Sequence, residues 1–215
     1  MNVFVLTTGR TGSTTFYKAC RHISNYSVSH ESKCMIIGDD RLQFSDFHIE
    51  VDNRLSFFLG TLDKLYGDDA IYIHLLRNEE LVVNSYNKRW YGRNSIMNTF
   101  AEAIHYFRVK NLSSKQKEDL TRSYVKTTND NIDLFLKDKS KVLVISLENI
   151  LNDYKEFWKF IKAEGDLNKA LSTFSKRYNT TEEYLEKIRK EQKKKQKRSF
   201  FDRINKRLKS LSYCI

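Results

Sequence analysis

The chain has 215 residues, 40% of them hydrophobic, enough for one sizeable domain with a small extension. Its net charge of +11 suggests a polyanion partner, but the charge is unevenly spread. From Glu186 to Lys209 there are 12 Lys or Arg against 3 acids, and the remaining 26 basic and 24 acidic residues leave the rest of the chain near +2. The basic excess therefore belongs to a tail, which argues against a nucleic-acid-binding body.

No stretch approaches the roughly 20 apolar residues that span a bilayer. Met1-Asn2 runs directly into Val3-Phe4-Val5-Leu6 with no basic start, so a cytoplasmic location is expected. Cys20, Cys34 and Cys214 lack the short spacing of a zinc or redox site, and reduced thiols are expected.

Val3 to Thr7 reads as a buried strand, and Ser13 to Ile23 as the helix after it, with Phe16, Ala19, Cys20 and Ile23 on one face. Tyr26 to Ser29 is a second short strand. Phe47 to Val51 alternates apolar and polar residues and leads into an amphipathic helix through Leu55, Phe58, Leu59, Leu62 and Leu65. Ala70 to Leu76 is a further buried strand, with a helix over Glu79 to Trp90. Helical patterns continue over Ile96–Phe107 and Lys115–Leu136. Val142 to Ile145 is an apolar β-branched run followed by a helix over Glu148–Ile161. Strands alternating with helices predict an α/β fold, a three-layer α/β/α domain with a short parallel sheet over 1–180. A basic helical extension follows over 181–215.

Three constellations carry chemistry. In Thr7-Thr8-Gly9-Arg10-Thr11-Gly12-Ser13-Thr14-Thr15, glycines permit close backbone approach, and N–H groups at a helix start form an anion site. Arg10 adds charge, and Ser13, Thr14 and Thr15 add hydroxyls. A nucleotide-triphosphatase loop requires Gly-Lys-Ser/Thr at its end, whereas here Ser13 follows Gly12. Arg77, Ser85 and Arg89 form a second group, separate from the first. Arg77 lies at a strand end, and Ser85 and Arg89 share one helix face. Ser29-His30-Glu31-Ser32, after the second strand, supplies two candidate bases.

At these residues the sequence resembles the PAPS-dependent sulfotransferase family. Arg10-Thr11-Gly12-Ser13-Thr14 is similar to the family's 5′-phosphosulfate loop, and Arg77 with Ser85 matches the spacing of its 3′-phosphate grip. An Arg in place of the Lys of cytosolic drug-sulfating enzymes looks more like the bacterial and carbohydrate-directed branches. Val142 to Ile150 resembles the last strand and the acidic helix start after it. The resemblance spans about 2–165 in organisation and is specific at the two short motifs. It implies a P-loop-like sulfotransferase fold, PAPS as co-substrate and no metal.

The resemblance also implies in-line sulfuryl transfer to a hydroxyl or amine of a glycan, glycolipid or small-molecule acceptor. Glu31 takes the part of the base, with His30, and after it Glu50 or Asp52, as alternatives, and Arg10 stabilises the phosphosulfate. Thr11 to Thr15 bind the 5′ end, while Arg77, Ser85 and Arg89 bind the 3′-phosphate. Glu50, Asp52 and Arg54 stand at alternate positions near a strand end and would line the acceptor site, or Asp52 caps the next helix. Trp90, with Tyr91 to Arg93, offers aromatic surface nearby. Tyr124 and Lys126 lie on a helix that could approach the nucleotide.

In the tail, Phe200, Phe201, Ile204, Leu208 and Leu211 oppose Arg and Lys, the pattern of a helix on an anionic membrane surface at the inner face. A solvated tail and an oligomer contact remain open there. Two other classes compete: a nucleotide-dependent kinase with an atypical phosphate loop, and a non-catalytic membrane adaptor.

Overall fold

The computed structural model describes residues 1–90, 95–176 and 178, with 183, 186, 189, 190, 193 and 194 beyond them. Two compact units divide the chain, Met1–Tyr178 and Asn179–Ile215. In the second, the described residues are helical, and Lys190 Nζ pairs with Glu186 Oε1 at 2.6 Å. The apolar stripe from Phe200 to Leu211 and the Tyr91–Arg93 segment lie outside the described residues.

The first unit is built on five parallel strands: β1 (Val3–Leu6), β2 (Ser27–His30), β3 (His48–Val51), β4 (Ile71–Leu76) and β5 (Val142–Ser146). Their order across the sheet is β2-β3-β1-β4-β5. Every residue of β1 and β3 is buried, as expected where helices cover both faces of a parallel sheet. Alternation assigns the faces. Val3 and Val5 pack with Phe16, Ala19 and Cys20 of α1 (Ser13–Cys20), whereas Phe4 and Leu6 point the other way, towards Leu55, Leu62 and Ile132. Tyr154 and Phe157 of α6 (Ile150–Phe160) and Ala170 of α7 (Leu167–Thr173) complete the first layer. The opposite layer holds α2 (Leu59–Tyr66) and the 23-residue α5 (Ser114–Leu136), whose start is fixed by a Ser113/Gln116 capping box. The chain is thus α/β with an all-parallel sheet and helices on both faces.

A third apolar cluster joins α3 (Glu79–Asn87), α4 (Ile96–Thr99) and the first half of α5. Several expected boundaries move. α1 ends at Cys20, because Ile23 forms a bridge with Gly165 instead of a last helical turn. The single helix expected from Leu55 is two pieces, a 3-10 turn over Asn53–Phe57 and then α2. α3 stops at Asn87, with Trp90 turned into the third cluster. α4 passes into a π-type turn at Phe100–Ile104, and the helix ends short of Phe107.

The connection from β1 runs to one side of the sheet through α1, and the connection from β4 runs to the other side through α5. The carboxyl ends of these adjacent strands are therefore where the chain's path reverses, the place at which open α/β sheets bind ligands.

Candidate functional site

The segment Thr7–Gly12 occupies that reversal point. Three of its residues have left-handed backbone, Gly9 (φ 81°), Arg10 (φ 63°) and Gly12 (φ 87°). A Cβ on Gly9 would lie 2.5 Å from the Tyr86 hydroxyl, and one on Gly12 would lie 2.8 Å from a Leu147 methyl, so both positions favour glycine by φ and a side chain at either would displace its neighbour. Thr15 and Phe16 both donate to the Gly12 carbonyl, which leaves the Ser13 and Thr14 N–H groups without partners among the described residues. These two groups form the positive end of α1.

The loop is held from beneath. Both Tyr86 (2.5 Å) and Tyr124 (2.9 Å) donate their hydroxyls to the Thr8 carbonyl. Burial pushes the Tyr124 phenol up to about 12 and the Tyr86 phenol well above its ordinary value, so both remain neutral donors. The hydroxyls of Thr7 and Thr11 share a 2.5 Å hydrogen bond, and the Thr7 oxygen also accepts from Gly9 N–H at 3.2 Å.

The second constellation is not a separate pocket. Arg10 Nε donates to Ser85 Oγ at 3.0 Å, and an Arg77 guanidinium nitrogen donates to the Arg10 carbonyl at 3.1 Å. Parallel pairing of β1 with β4 produces this meeting, because it places the two strand ends side by side. Arg89 is half-buried in the turn beyond α3, so it does not share a helix face with Ser85 as the i,i+4 spacing suggested.

On the other flank, Glu31 follows β2 with φ 51° and its Oε2 lies 3.0 Å from an Arg54 guanidinium nitrogen. Both side chains are partly exposed, and the ion pair with Arg54 uses Oε2, not Oε1. His30, the last residue of β2, lies with its ring centre 5.5 Å from that of Tyr17 and tilted by 36°, and its buried Nε2 makes no hydrogen bond among the described residues.

Glu50 and Asp52 are fully buried, and their partners are within the protein. Glu50 accepts from Ser32 N–H (2.9 Å), Ser32 Oγ (2.6 Å) and His48 Nε2 (3.1 Å). Burial raises the cost of its charge, but the His48 and Ser32 bonds outweigh it and hold the carboxyl below its ordinary value. Asp52 caps the 3-10 turn by accepting from Arg54 N–H at 2.8 Å and pairs with Arg41 at 2.5 Å. These two acids therefore position Ser32, Arg41 and Arg54, and of the residues expected to face an acceptor only Arg54 is open to solvent. Trp90 is 1% exposed and donates to Asn87 Oδ1, so it packs instead of presenting an aromatic surface. Lys126 is paired with Asp130 at 2.6 Å on the exterior of α5.

Sequence reasoning missed Tyr86, Arg41 and Leu147. Tyr86 sits one residue after Ser85, and its role as the prop beneath Thr8 is set by a contact spanning 78 residues, with no local signal. Among the described residues no group of three metal-ligating side chains gathers. No protein-family model and no curated protein matches the chain.

The residues present suit an anionic group. Two N–H groups stand at a helix start, and Arg10 and Arg77 bring positive charge to the same strand ends, while the glycines make room for Tyr86 and Leu147.

Proposed function

We propose that the chain is a sulfotransferase that moves a sulfuryl group from PAPS to an acceptor hydroxyl. The observation that carries this reading is the direct bonding of Arg10 to Ser85 and of Arg77 to the Arg10 carbonyl. It joins the two resemblance motifs at one set of strand ends.

PAPS supplies an activated sulfuryl group whose leaving group is a phosphate. Arg10 and the N–H groups of Ser13 and Thr14 hold the phosphosulfate and stabilise the charge that grows on the leaving oxygen. Arg77, Ser85 and Arg89 hold the 3′-phosphate. Glu31 Oε1 receives the acceptor proton as the new O–S bond forms and the bridging S–O bond breaks, while Arg54 fixes the other carboxylate oxygen. The acceptor is a glycan, a glycolipid or a small hydroxyl compound. The basic stretch 187–211 would carry the enzyme to an anionic membrane surface.

Calorimetry with adenosine 3′,5′-bisphosphate, with and without magnesium, tests the reading. Binding that is independent of metal and at least ~10-fold weaker in Arg77→Ala supports it, a factor equal to one charge-assisted contact. No binding by the unaltered protein overturns it. Magnesium-dependent ATP binding indifferent to a 3′-phosphate would point to a kinase instead.

A further inference from the structure

Ser27, His48 and Glu50 form a hydrogen-bonded series that begins at the end of the sheet away from the donor loop. Ser27 opens β2 and His48 opens β3, and parallel pairing sets the two side by side. Ser27 Oγ lies 2.7 Å from His48 Nδ1, and His48 Nε2 lies 3.1 Å from Glu50 Oε2.

These distances fix where the protons sit. Burial works against the Glu50 charge, but the His48 and Ser32 bonds hold its carboxyl below the ordinary value, so it is an acceptor only. Nε2 therefore carries the proton, and in the singly protonated ring Nδ1 is the bare nitrogen to which the Ser27 hydroxyl donates. The Phe47 carbonyl is that hydroxyl's other acceptor, and at 3.4 Å it is the weaker one.

A hydroxyl bonded to an imidazole whose far nitrogen meets a carboxylate is the arrangement that makes serine nucleophilic, whatever the order of the residues in the chain. Both partners are held. Phe44 stacks on the His48 ring at 5.1 Å with 9° between the planes, and Ser32 fixes the Glu50 carboxylate through its N–H and its hydroxyl. His48 and Glu50 are buried while Ser27 is exposed, so the nucleophile is open and its base is shielded.

The strand also supplies a donor for a reacting carbonyl oxygen. β2 lies at the edge of the sheet, and the N–H groups of Ser27 and Glu31 donate inward to the carbonyls of Phe47 and Val51. Alternation along a parallel strand turns the Val28 N–H to the open edge, one residue after the nucleophile, where an oxyanion donor belongs. Phe47, 55% exposed, has a left-handed backbone (φ 53°) that bulky residues rarely adopt. Its ring meets that of Tyr26, the residue before the nucleophile, at 5.9 Å, which gives an uncharged acyl group an aromatic surface to lie on.

We propose that Ser27 is an acyl-accepting nucleophile with His48 as its general base, which gives the chain an esterase activity towards uncharged carboxylic esters. Ser27 Oγ bonds to the acyl carbon and its proton passes to His48 Nδ1. The ester C–O bond breaks as that proton moves on to the leaving alkoxide. Water, deprotonated by the same nitrogen, then attacks the acyl-serine, the carboxylic acid leaves, and Ser27 Oγ takes the proton back. This activity does not rest on the sulfotransferase reading, whose donor groups lie at the opposite strand ends.

The test treats the full chain with a fluorophosphonate, from which an activated serine displaces fluoride. Peptide-resolved mass spectrometry should place the phosphonyl group on Ser27, at least ~100-fold faster than on the other serines of the chain, the lower end of what a positioned base supplies. That ratio is read in the unaltered protein and needs no variant. Ser27→Ala, at an exposed position, should remove the label and lower protein-dependent hydrolysis of p-nitrophenyl acetate by at least ~100-fold, and His48→Gln should slow labelling of Ser27 by a similar factor. Nitrogen NMR should show the His48 proton on Nε2. No preferential adduct on Ser27, ester hydrolysis retained in Ser27→Ala, labelling indifferent to His48→Gln, or the opposite His48 tautomer each overturns the proposal.

Discussion

Arg10 and Ser85 are 75 residues apart in sequence and joined by a 3.0 Å hydrogen bond between Nε and Oγ. The bond orients a guanidinium whose own backbone is in the left-handed region, so the loop and α3 fix that group jointly. Ser85→Ala removes the acceptor from a half-buried site without creating a large cavity. We expect affinity for adenosine 3′,5′-bisphosphate to fall by about 10-fold, through loss of a bond to a charged group, with a stability change under about 1 kcal/mol. Calorimetry and urea unfolding on the same preparation check both parts. Unchanged affinity would remove Ser85 from the donor site.

The Thr8 carbonyl receives two buried phenols, and this redundancy makes a distinctive prediction. Tyr86→Phe or Tyr124→Phe alone leaves one donor on that oxygen, so each should cost only about 0.5–1.5 kcal/mol. The double substitution leaves the buried oxygen unpaired and should cost more than the sum of the singles, by about 1 kcal/mol or more. A double-mutant cycle by urea unfolding measures the excess, and strict additivity would mean that the two hydroxyls act independently on the loop.

Much of the fold was legible because its strands are short apolar runs separated by helix-period segments. Val3 to Leu6, Ile71 to Leu76 and Val142 to Ile145 announce themselves in this way, whereas the Ser113/Gln116 capping box that starts α5 was not read from the sequence. The site was half legible. Gly9 and Gly12 signal close backbone approach, and the structure supplies the reason in Tyr86 and Leu147. The expectation that Glu50 faces an acceptor came from strict alternation at a strand end. In β3 all four residues are buried, so a carboxylate there has to find its partners inside, and it finds Ser32 and His48. Which distant groups would meet, such as Arg10 and Ser85, depends on strand order, and local pattern does not encode that order.

Glu50 links the core to the candidate base, since the residue it clamps, Ser32, follows Glu31. Its carboxyl sits below its ordinary value, so its stabilising contribution is present above the unfolded value of about 4.3 and is lost as pH falls through the lower folded value. Glu50→Gln replaces one acceptor oxygen by a donor facing Ser32, and should cost about 1–3 kcal/mol at pH 7. The gap between the two proteins should narrow as pH falls below the unfolded value of about 4.3 and close only once pH lies below the lower folded value, where the unaltered carboxyl is protonated as well. Urea midpoints followed downwards from pH 7 test this, and a gap that does not narrow at any pH below about 4.3 would mean that charge is not what Glu50 contributes. Because Glu50 acts through the backbone of Ser32, kcat should fall while nucleotide affinity holds.

Cys34 lies beside the candidate base and would be a natural target for oxidation if its thiol ionised easily. It does not. Burial, reinforced by the nearby Asp52 carboxylate, pushes the thiol up to about 11 despite an Arg54 nitrogen 3.7 Å away. The sulfur therefore stays protonated at neutral pH and points its proton at Asp52 Oδ2. At pH 8 iodoacetamide should modify Cys34 about two orders of magnitude more slowly than an ordinary free thiol, because that is the ratio of thiolate present. The rate should still be climbing at pH 10. Peptide-resolved mass spectrometry separates Cys34 from Cys20, which burial also holds up, to about 12, and from Cys214. A Cys34 profile that levels off near pH 8.5 would show that Asp52 and burial do not govern the thiol, and would make Cys34 a candidate redox-sensitive position beside Glu31.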